Sequence, residues 1–221
     1  MKKLFLIDGM ALIYRSYYAF INNPLSTSKG FPTSAIYGFL TSIFKILNEE
    51  KPDYISIALD AQKPTFRHEI FSNYKANRKK MPDDLRLQIP EITKIISKSK
   101  ISLLINEGYE ADDIIATVVE KNKKEELLTY IVTGDKDIMQ LVDDKTFVYN
   151  PGNKFSGPII YDKEKVCKKW NVSPDKICDL LSIMGDASDN IPGVKGVGPK
   201  TASKLINDFG GAQEILGKVD D

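Results

Sequence analysis

Residues 127–137 read Leu127-Leu128-Thr129-Tyr130-Ile131-Val132-Thr133-Gly134-Asp135-Lys136-Asp137. An apolar, β-rich run that stops abruptly at glycine and carboxylates reads as a buried strand with acid at its carboxyl end. Two earlier stretches have the same form. Leu4-Phe5-Leu6-Ile7 runs into Asp8-Gly9, and Tyr54-Ile55-Ser56-Ile57-Ala58-Leu59 runs into Asp60-Ala61. Between them lie helical patterns. One opens at Pro32-Thr33-Ser34 and spaces Ile36, Phe39, Leu40, Ile43 and Leu47 helically; another spans Asp83 to Lys98 with a bend expected at Pro90. A short strand over Ile101 to Ile105 and a helix over Asp112 to Lys123 complete the alternation. Strands alternating with helices predict an α/β fold, a mainly parallel sheet flanked by helices on both faces. In such sheets ligands bind beyond the carboxyl ends of the strands, so Asp8, Asp60, Asp135 and Asp137 should face one crevice.

Near residue 160 the texture changes to short helices and glycine turns, which predicts two units, 1–160 and 161–221, the second packed on the first. Ser173-Pro174 reads as a helix start with serine as cap. Gly193-Val194-Lys195-Gly196-Val197-Gly198-Pro199-Lys200-Thr201 lacks the Gly-Lys pair of a Walker loop and follows Asn190-Ile191-Pro192 rather than a strand. It reads instead as a hairpin between helices, with backbone N–H groups, Lys195 and Lys200 available to duplex phosphates.

Composition narrows the chemistry. The 221 residues carry 31 basic and 30 acidic side chains, a net charge of +1, with one histidine and two cysteines. A structural zinc site of four Cys or His ligands is therefore impossible, and any triad would rest on His68 alone. Cys167 and Cys178 offer no disulfide framework; they are expected to be small, mostly buried residues in a reducing compartment. No apolar run approaches the roughly 18 residues of a membrane span, and the run after Met1-Lys2-Lys3 is too short for a signal peptide. The expectation is a cytoplasmic protein.

Two further acidic groups stand out: Glu110-Ala111-Asp112-Asp113 at a helix start, where Asp112 alone would serve as a cap, and Asp186 and Asp189, side by side if helical. So many carboxylates in one crevice repel one another unless cations neutralise them. Hard divalent ions suit an all-oxygen nest, and two of them about 4 Å apart suit phosphoryl transfer. The near-zero net charge also hides Lys63, Arg67, Lys75, Arg78, Lys79 and Lys80 against the single acid Glu69, with Phe66, Phe71 and Tyr74 interleaved. Rings among cations match what a single-stranded nucleic acid needs, and a solvated charged face is the plainer alternative.

Taken in order, Leu6-Ile7-Asp8-Gly9, Phe66-Arg67-His68, Tyr74-Lys75-Ala76-Asn77-Arg78, Gly108 to Asp113, Thr133 to Asp137 and Gly185-Asp186 through Gly198 resemble the 5′→3′ exonuclease (flap endonuclease) domain of bacterial DNA polymerase I. The resemblance implies a PIN-like α/β domain with a helical arch near 66–90, followed by a helix–hairpin–helix element. It implies a first metal cluster of Asp8, Asp60, Glu110, Asp112 and Asp113, completed by Asp135, Asp137, Asp186 and Asp189, holding two Mg²⁺ or Mn²⁺. Tyr74, Lys75 and Arg78 match the arch, with Lys75 and Arg78 stabilising charge on the scissile phosphate. Arg15 and Arg67 resemble phosphate contacts, whereas Tyr14, Tyr17 and Tyr18 read as a buried aromatic face. Gly193, Lys195, Gly196, Gly198 and Lys200 match the DNA-binding hairpin, which in this family also takes K⁺. The implied substrate is branched or nicked DNA with a 5′ single strand, cut by a monomer that works beside a DNA polymerase. Two other readings remain: a non-catalytic branched-DNA binding module, and a PIN-type ribonuclease, which the duplex-suited hairpin disfavours.

Overall fold

The computed structural model describes residues 1–61, 63–152 and 156–218, so the last three residues of the expected second unit lie outside the described residues. Its centre is β1 (Lys2–Asp8), which pairs in parallel with β2 (Tyr54–Ala58) on one side and β4 (Leu127–Val132) on the other. β3 (Ser102–Leu104) adds to β2 and β5 (Thr146–Asn150) to β4, both parallel; β6 (Ile159–Tyr161) closes the far edge antiparallel. The order β3-β2-β1-β4-β5-β6 places a topological switch between β1 and β4. A crevice opens at such a point, because the chain leaves the two strands in opposite directions.

Alternation along β1 explains the layering. Phe5 and Ile7 point to one face, where α1 (Gly9–Ala19), α2 (Ser34–Glu49) and α4 (Asp83–Lys98) supply Leu12, Ile13, Phe39, Ile43, Leu85 and Ile92. Leu4 and Leu6 point to the other, against α5 (Ala111–Asn122), α6 (Lys163–Trp170), α7 (Ile177–Met184) and α8 (Pro199–Phe209). That second core runs without a break from Leu4 and Ile131 to Leu180, Ala202 and Ile206, so the C-terminal helices share the core of the sheet. α4 continues through Pro90. Short α3 (Phe66–Ile70) follows β2, and α9 (Ala212–Leu216) follows the glycines that end α8.

Several local expectations are corrected. α1, β5 and β6 lie outside the segments expected from periodicity. In α1 the Tyr18 ring meets those of Tyr14 and Tyr17, but only Tyr17 is buried and Tyr18 is exposed, so the aromatic face is not a buried one. Both cysteines are exposed: Val166 and Ile177, one position before each, take the inward-facing places. Ser173 and Pro174 do open a helical turn, a 3-10 turn over Pro174–Lys176, but the Ser173 side chain makes no capping bond.

Gly9 fixes the entry to α1. A Cβ there would lie 2.5 Å from Leu59 Cδ2 and 2.8 Å from the Ala58 carbonyl oxygen, so α1 starts in contact with β2. Gly9→Ala should push the helix away and cost about 1–3 kcal/mol in urea unfolding, as overpacking does elsewhere. Unchanged stability would show that the contact relaxes freely.

Candidate active site

The site is built from strand ends. Asp8 ends β1 and caps α1, its Oδ1 accepting from the Ala11 N–H at 3.1 Å. Across the switch point Thr133 follows β4, and its hydroxyl donates to Asp8 Oδ2 at 2.8 Å. The same hydroxyl oxygen accepts from the Asp135 N–H at 3.0 Å, which turns the chain so that Asp135 faces the crevice. Asp60, two residues beyond β2, accepts from the Ala111 N–H at 2.8 Å and so ties the second strand end to the start of α5. There Asp113, rather than Asp112, does the capping: it accepts from the Glu110 N–H at 2.9 Å. Asp112 is left free to face the crevice.

The electrostatic consequence is large. Burial first, then the charges of Asp8, Asp135 and Asp60, push Asp112 up to about 8. Burial likewise lifts Asp8 to about 6, against the bonds from Ala11 and Thr133, with Asp60 and Asp135 adding to the rise. Four carboxylates from three strand ends and one helix start thus crowd one place, as the sequence suggested for three of them.

A second group adjoins the first. Carboxylate oxygens of Asp137, Asp186 and Asp189 lie within 4.8 Å of one another. Burial, then repulsion from Asp135, raises Asp137 to about 6, and its buried Oδ1 faces the Lys136 ammonium at 3.3 Å. Asp186 and Asp189 are not helical neighbours: they sit in a tight loop closed by an antiparallel bridge between Asp186 and Ile191. Two glycines make the loop possible. Gly185 has φ +77°, and a Cβ on Gly193 would lie 2.2 Å from the Met184 carbonyl carbon. The close crossing of two backbones is therefore the structural demand on Gly193. Gly196 (φ +82°), Gly198, Lys195 and Lys200 lie on the exposed turn and helix start beyond it.

The basic segment is folded against these acids. Lys75, itself at φ +56°, donates to Glu110 Oε1 at 2.8 Å, and Arg78 pairs with Asp189 at 2.6 Å. Tyr74 is buried and its hydroxyl lies 3.0 Å from Glu110 and 2.9 Å from Asp189; burial and those two charges hold the phenol far above its ordinary value. Backbone bonds fasten the same segment, with the Lys75 N–H donating to the Asp189 carbonyl at 2.9 Å. Arg67 forms a two-pronged pair with Asp113 at 2.7 and 2.8 Å, so both Asp113 oxygens are engaged. Burial opposes the charge on Asp113, but that pair keeps its carboxyl below the usual range. Arg15 lies apart, donating to the Gly152 carbonyl. His68 accepts from the Thr65 N–H at 3.2 Å and belongs to the cap of α3.

The expected acids therefore divide by task. Asp8, Asp60, Asp112 and Asp135 gather at the switch point, and Asp137, Asp186 and Asp189 form the adjoining group. Glu110 is held by Tyr74 and Lys75, and Asp113 by Arg67. Sequence reasoning missed Thr133, whose only signal is a hydroxyl directly after a strand, and Lys136. The Lys136 Nζ lies 2.7 Å from Asp186 and 3.3 Å from Asp137. Burial works against its charge, but the bond to Asp186 and the two carboxylates hold the ammonium above the ordinary lysine value.

Comparison with known proteins follows the same lines. A family model for the 5′-3′ exonuclease N-terminal, resolvase-like domain matches residues 3–171, and one for the 5′-3′ exonuclease C-terminal SAM fold matches 172–221. A 5′-3′ exonuclease of Aquifex aeolicus is 45% identical over 98% of this chain and 73% of its own length. DNA polymerase I of Bacillus subtilis is 42% identical over 100% of this chain, which spans only 25% of that polymerase. Among solved structures, the T5 5′-exonuclease with bound zinc superposes at a TM-score of 0.78 and 24% identity, covering 99% of this chain and 79% of that one. Flap endonuclease-1 of Methanococcus jannaschii does so at 0.64 and 21%, covering 98% and 74%. At these identities the two structures carry the fold alone.

Proposed function

The chain belongs to the 5′-3′ exonuclease family, and from that footing we propose that it cuts phosphodiester bonds at the junction between a 5′ single strand and duplex DNA, using two divalent cations. The observation that carries the reading is the crowd of carboxylates at and beside the switch point: Asp8, Asp112 and Asp137 are held above their ordinary range by burial and mutual repulsion. An all-oxygen donor set, with three carboxylate oxygens of Asp137, Asp186 and Asp189 within 4.8 Å of one another, fits a hard cation, Mg²⁺ or Mn²⁺, better than a soft one. Asp8, Asp60, Asp112 and Asp135 would hold one ion, and Asp137, Asp186 and Asp189 the other.

When bound, such ions act as Lewis acids on the phosphate and lower the pKa of a water. The protein's own part is positioning. Thr133 fixes Asp8 and Asp135 against each other. Lys75, on Glu110, and the more exposed Arg78, on Asp189, border the acids, where an incoming phosphate competes for them and acquires two cations for its developing charge. Asp113 and Glu110 then serve mainly to hold Arg67 and the 74–78 segment. Directly after the Asp186–Ile191 loop, the exposed hairpin with Lys195 and Lys200 would grip duplex phosphates without reading sequence, with K⁺ at its backbone carbonyls. Alignment with a quarter of a DNA polymerase I suggests action beside a polymerase, as a monomer on nicked or flapped DNA. No helix among the described residues is long and apolar enough to cross a membrane.

One gel tests this. An end-labelled 5′-flap duplex should be cut near the junction in Mg²⁺, left intact in EDTA, and cut far faster than a plain single strand or an RNA. Binding of the flap without cleavage in any metal would favour the non-catalytic module, and preferred cutting of RNA the ribonuclease.

A further inference from the structure

Lys136 lies between two residues of the acidic crevice and is itself neither a cation ligand nor a rim residue. Its ammonium spans the outlying group, 2.7 Å from Asp186 and 3.3 Å from Asp137, with the side chain only 25% exposed. Of the other two cations near this group, Arg78 reaches Asp189 from the exposed rim, and Lys75 stays 3.9 Å from it. Lys136 is the one that comes from within the sheet's own loop, between Asp135 and Asp137. It cannot leave with the 74–78 segment. Asp186 is also fixed on its other oxygen, which accepts from the Ser188 N–H at 2.9 Å. A divalent cation entering here must therefore share or displace the two oxygens that the Lys136 ammonium faces, one on Asp186 and the buried Oδ1 of Asp137.

We propose that Lys136 is a positioning residue that stands in for the second cation: it holds Asp137 and Asp186 together in the metal-free protein and competes directly with the divalent ion for them. The inference rests on the metal-binding reading above. It makes the two cation positions unequal. Among the described residues no ammonium bonds to the switch-point acids, so that position fills first; the outlying one fills only as its lysine yields. Like charges sharing the same oxygens repel, so neutralising the lysine should tighten the outlying position, whereas loss of a merely structural bridge would loosen it.

The test is Mn²⁺ binding to the full chain without DNA, followed by calorimetry and by the electron paramagnetic resonance of free Mn²⁺. Wild type should show a tighter and a weaker site. Lys136→Gln and Lys136→Met should each bind the weaker ion roughly tenfold more tightly, leaving the tighter one little changed, while Lys136→Arg, which keeps the charge, should resemble wild type. Circular dichroism confirms folding of each variant, and the glutamine variant retains a donor for Asp186 if methionine disturbs the loop. Equal or weaker binding by the neutral variants, with wild type binding two ions, overturns the role of Lys136 and leaves the metal reading standing. No Mn²⁺ binding by wild type or variants overturns both.

Discussion

Asp135→Ala should leave the fold intact and lower single-turnover cleavage of a 5′-flap DNA in Mg²⁺ by at least about a thousandfold, since a metal-stabilised phosphoryl transfer draws several kcal/mol from its ligands. The position is exceptional among the acids. Asp135 presses electrostatically on Asp8 and Asp112 on one side and on Asp137 on the other, so it adjoins both cation positions. Its Oδ1 also accepts from the Asp137 N–H at 2.9 Å, which sets the turn that carries Lys136 and Asp137. Alanine removes a shared donor and slackens that turn together, yet the strand beneath stays paired with β1 and β5. A rate within tenfold of wild type, in a variant with a native dichroism spectrum, would show that this acid is not in the working site.

The second large effect has the opposite sign. Asp112→Asn should stabilise the protein in chelator while impairing cleavage. The Asp112 carboxyl titrates near 8 in the folded chain and near its ordinary 3.8 when unfolded. Below about 4 both states are protonated and the residue is neutral in the balance. Between about 4 and 8 the unfolded chain gives up the proton that the folded chain retains, so stability falls with rising pH and stays low above 8. Asparagine removes that loss. At pH 8.5 in EDTA the gain should be on the order of a few kcal/mol, or roughly 5–10 °C in melting temperature for a chain of this size, and it should shrink towards zero at pH 4. Added Mn²⁺ should narrow the difference, because the ion repays the wild-type carboxylate more than the amide. Thermal melts at the two pH values, with and without metal, decide it; a variant less stable than wild type at pH 8.5 in chelator would mean that burial and repulsion do not disfavour the Asp112 carboxylate.

How far the sequence reaches is plain from particular residues. β4 begins and ends at the residues expected, because an apolar run bounded by charge and glycine has one sensible reading. A mainly parallel sheet followed from strands alternating with helices, and the meeting of Asp8, Asp60 and Asp135 from three such strands that each run into aspartate. The strand order around β1 was not legible. α1 escaped notice because Tyr14, Arg15 and Tyr18 blur a stripe whose buried members are Leu12, Ile13 and Tyr17. The cysteines misled because a small residue in an amphipathic helix gives no sign of which side of the stripe it occupies; one place from Ile177, Cys178 falls outside. The division of labour among the acids was also illegible. Asp112 and Asp113 are adjacent and alike, and only the rotation of α5 sends one to the crevice and the other to Arg67. Lys136 was hidden by its surroundings: a lysine between two aspartates reads as surface charge until the loop is folded.

The register of β1 bears on how such a chain is made. Lys2 pairs with Leu127 and Ile7 with Val132, so the central strand waits for a neighbour more than a hundred residues downstream. During synthesis the earliest strand must keep one edge unpaired until β4 has emerged. Long-range parallel pairings of this kind close slowly, because the loop entropy is lost before any contact offsets it. The acids at the switch point belong to both strands, which means that a nascent chain cannot assemble its cation-binding centre until most of the molecule has left the ribosome.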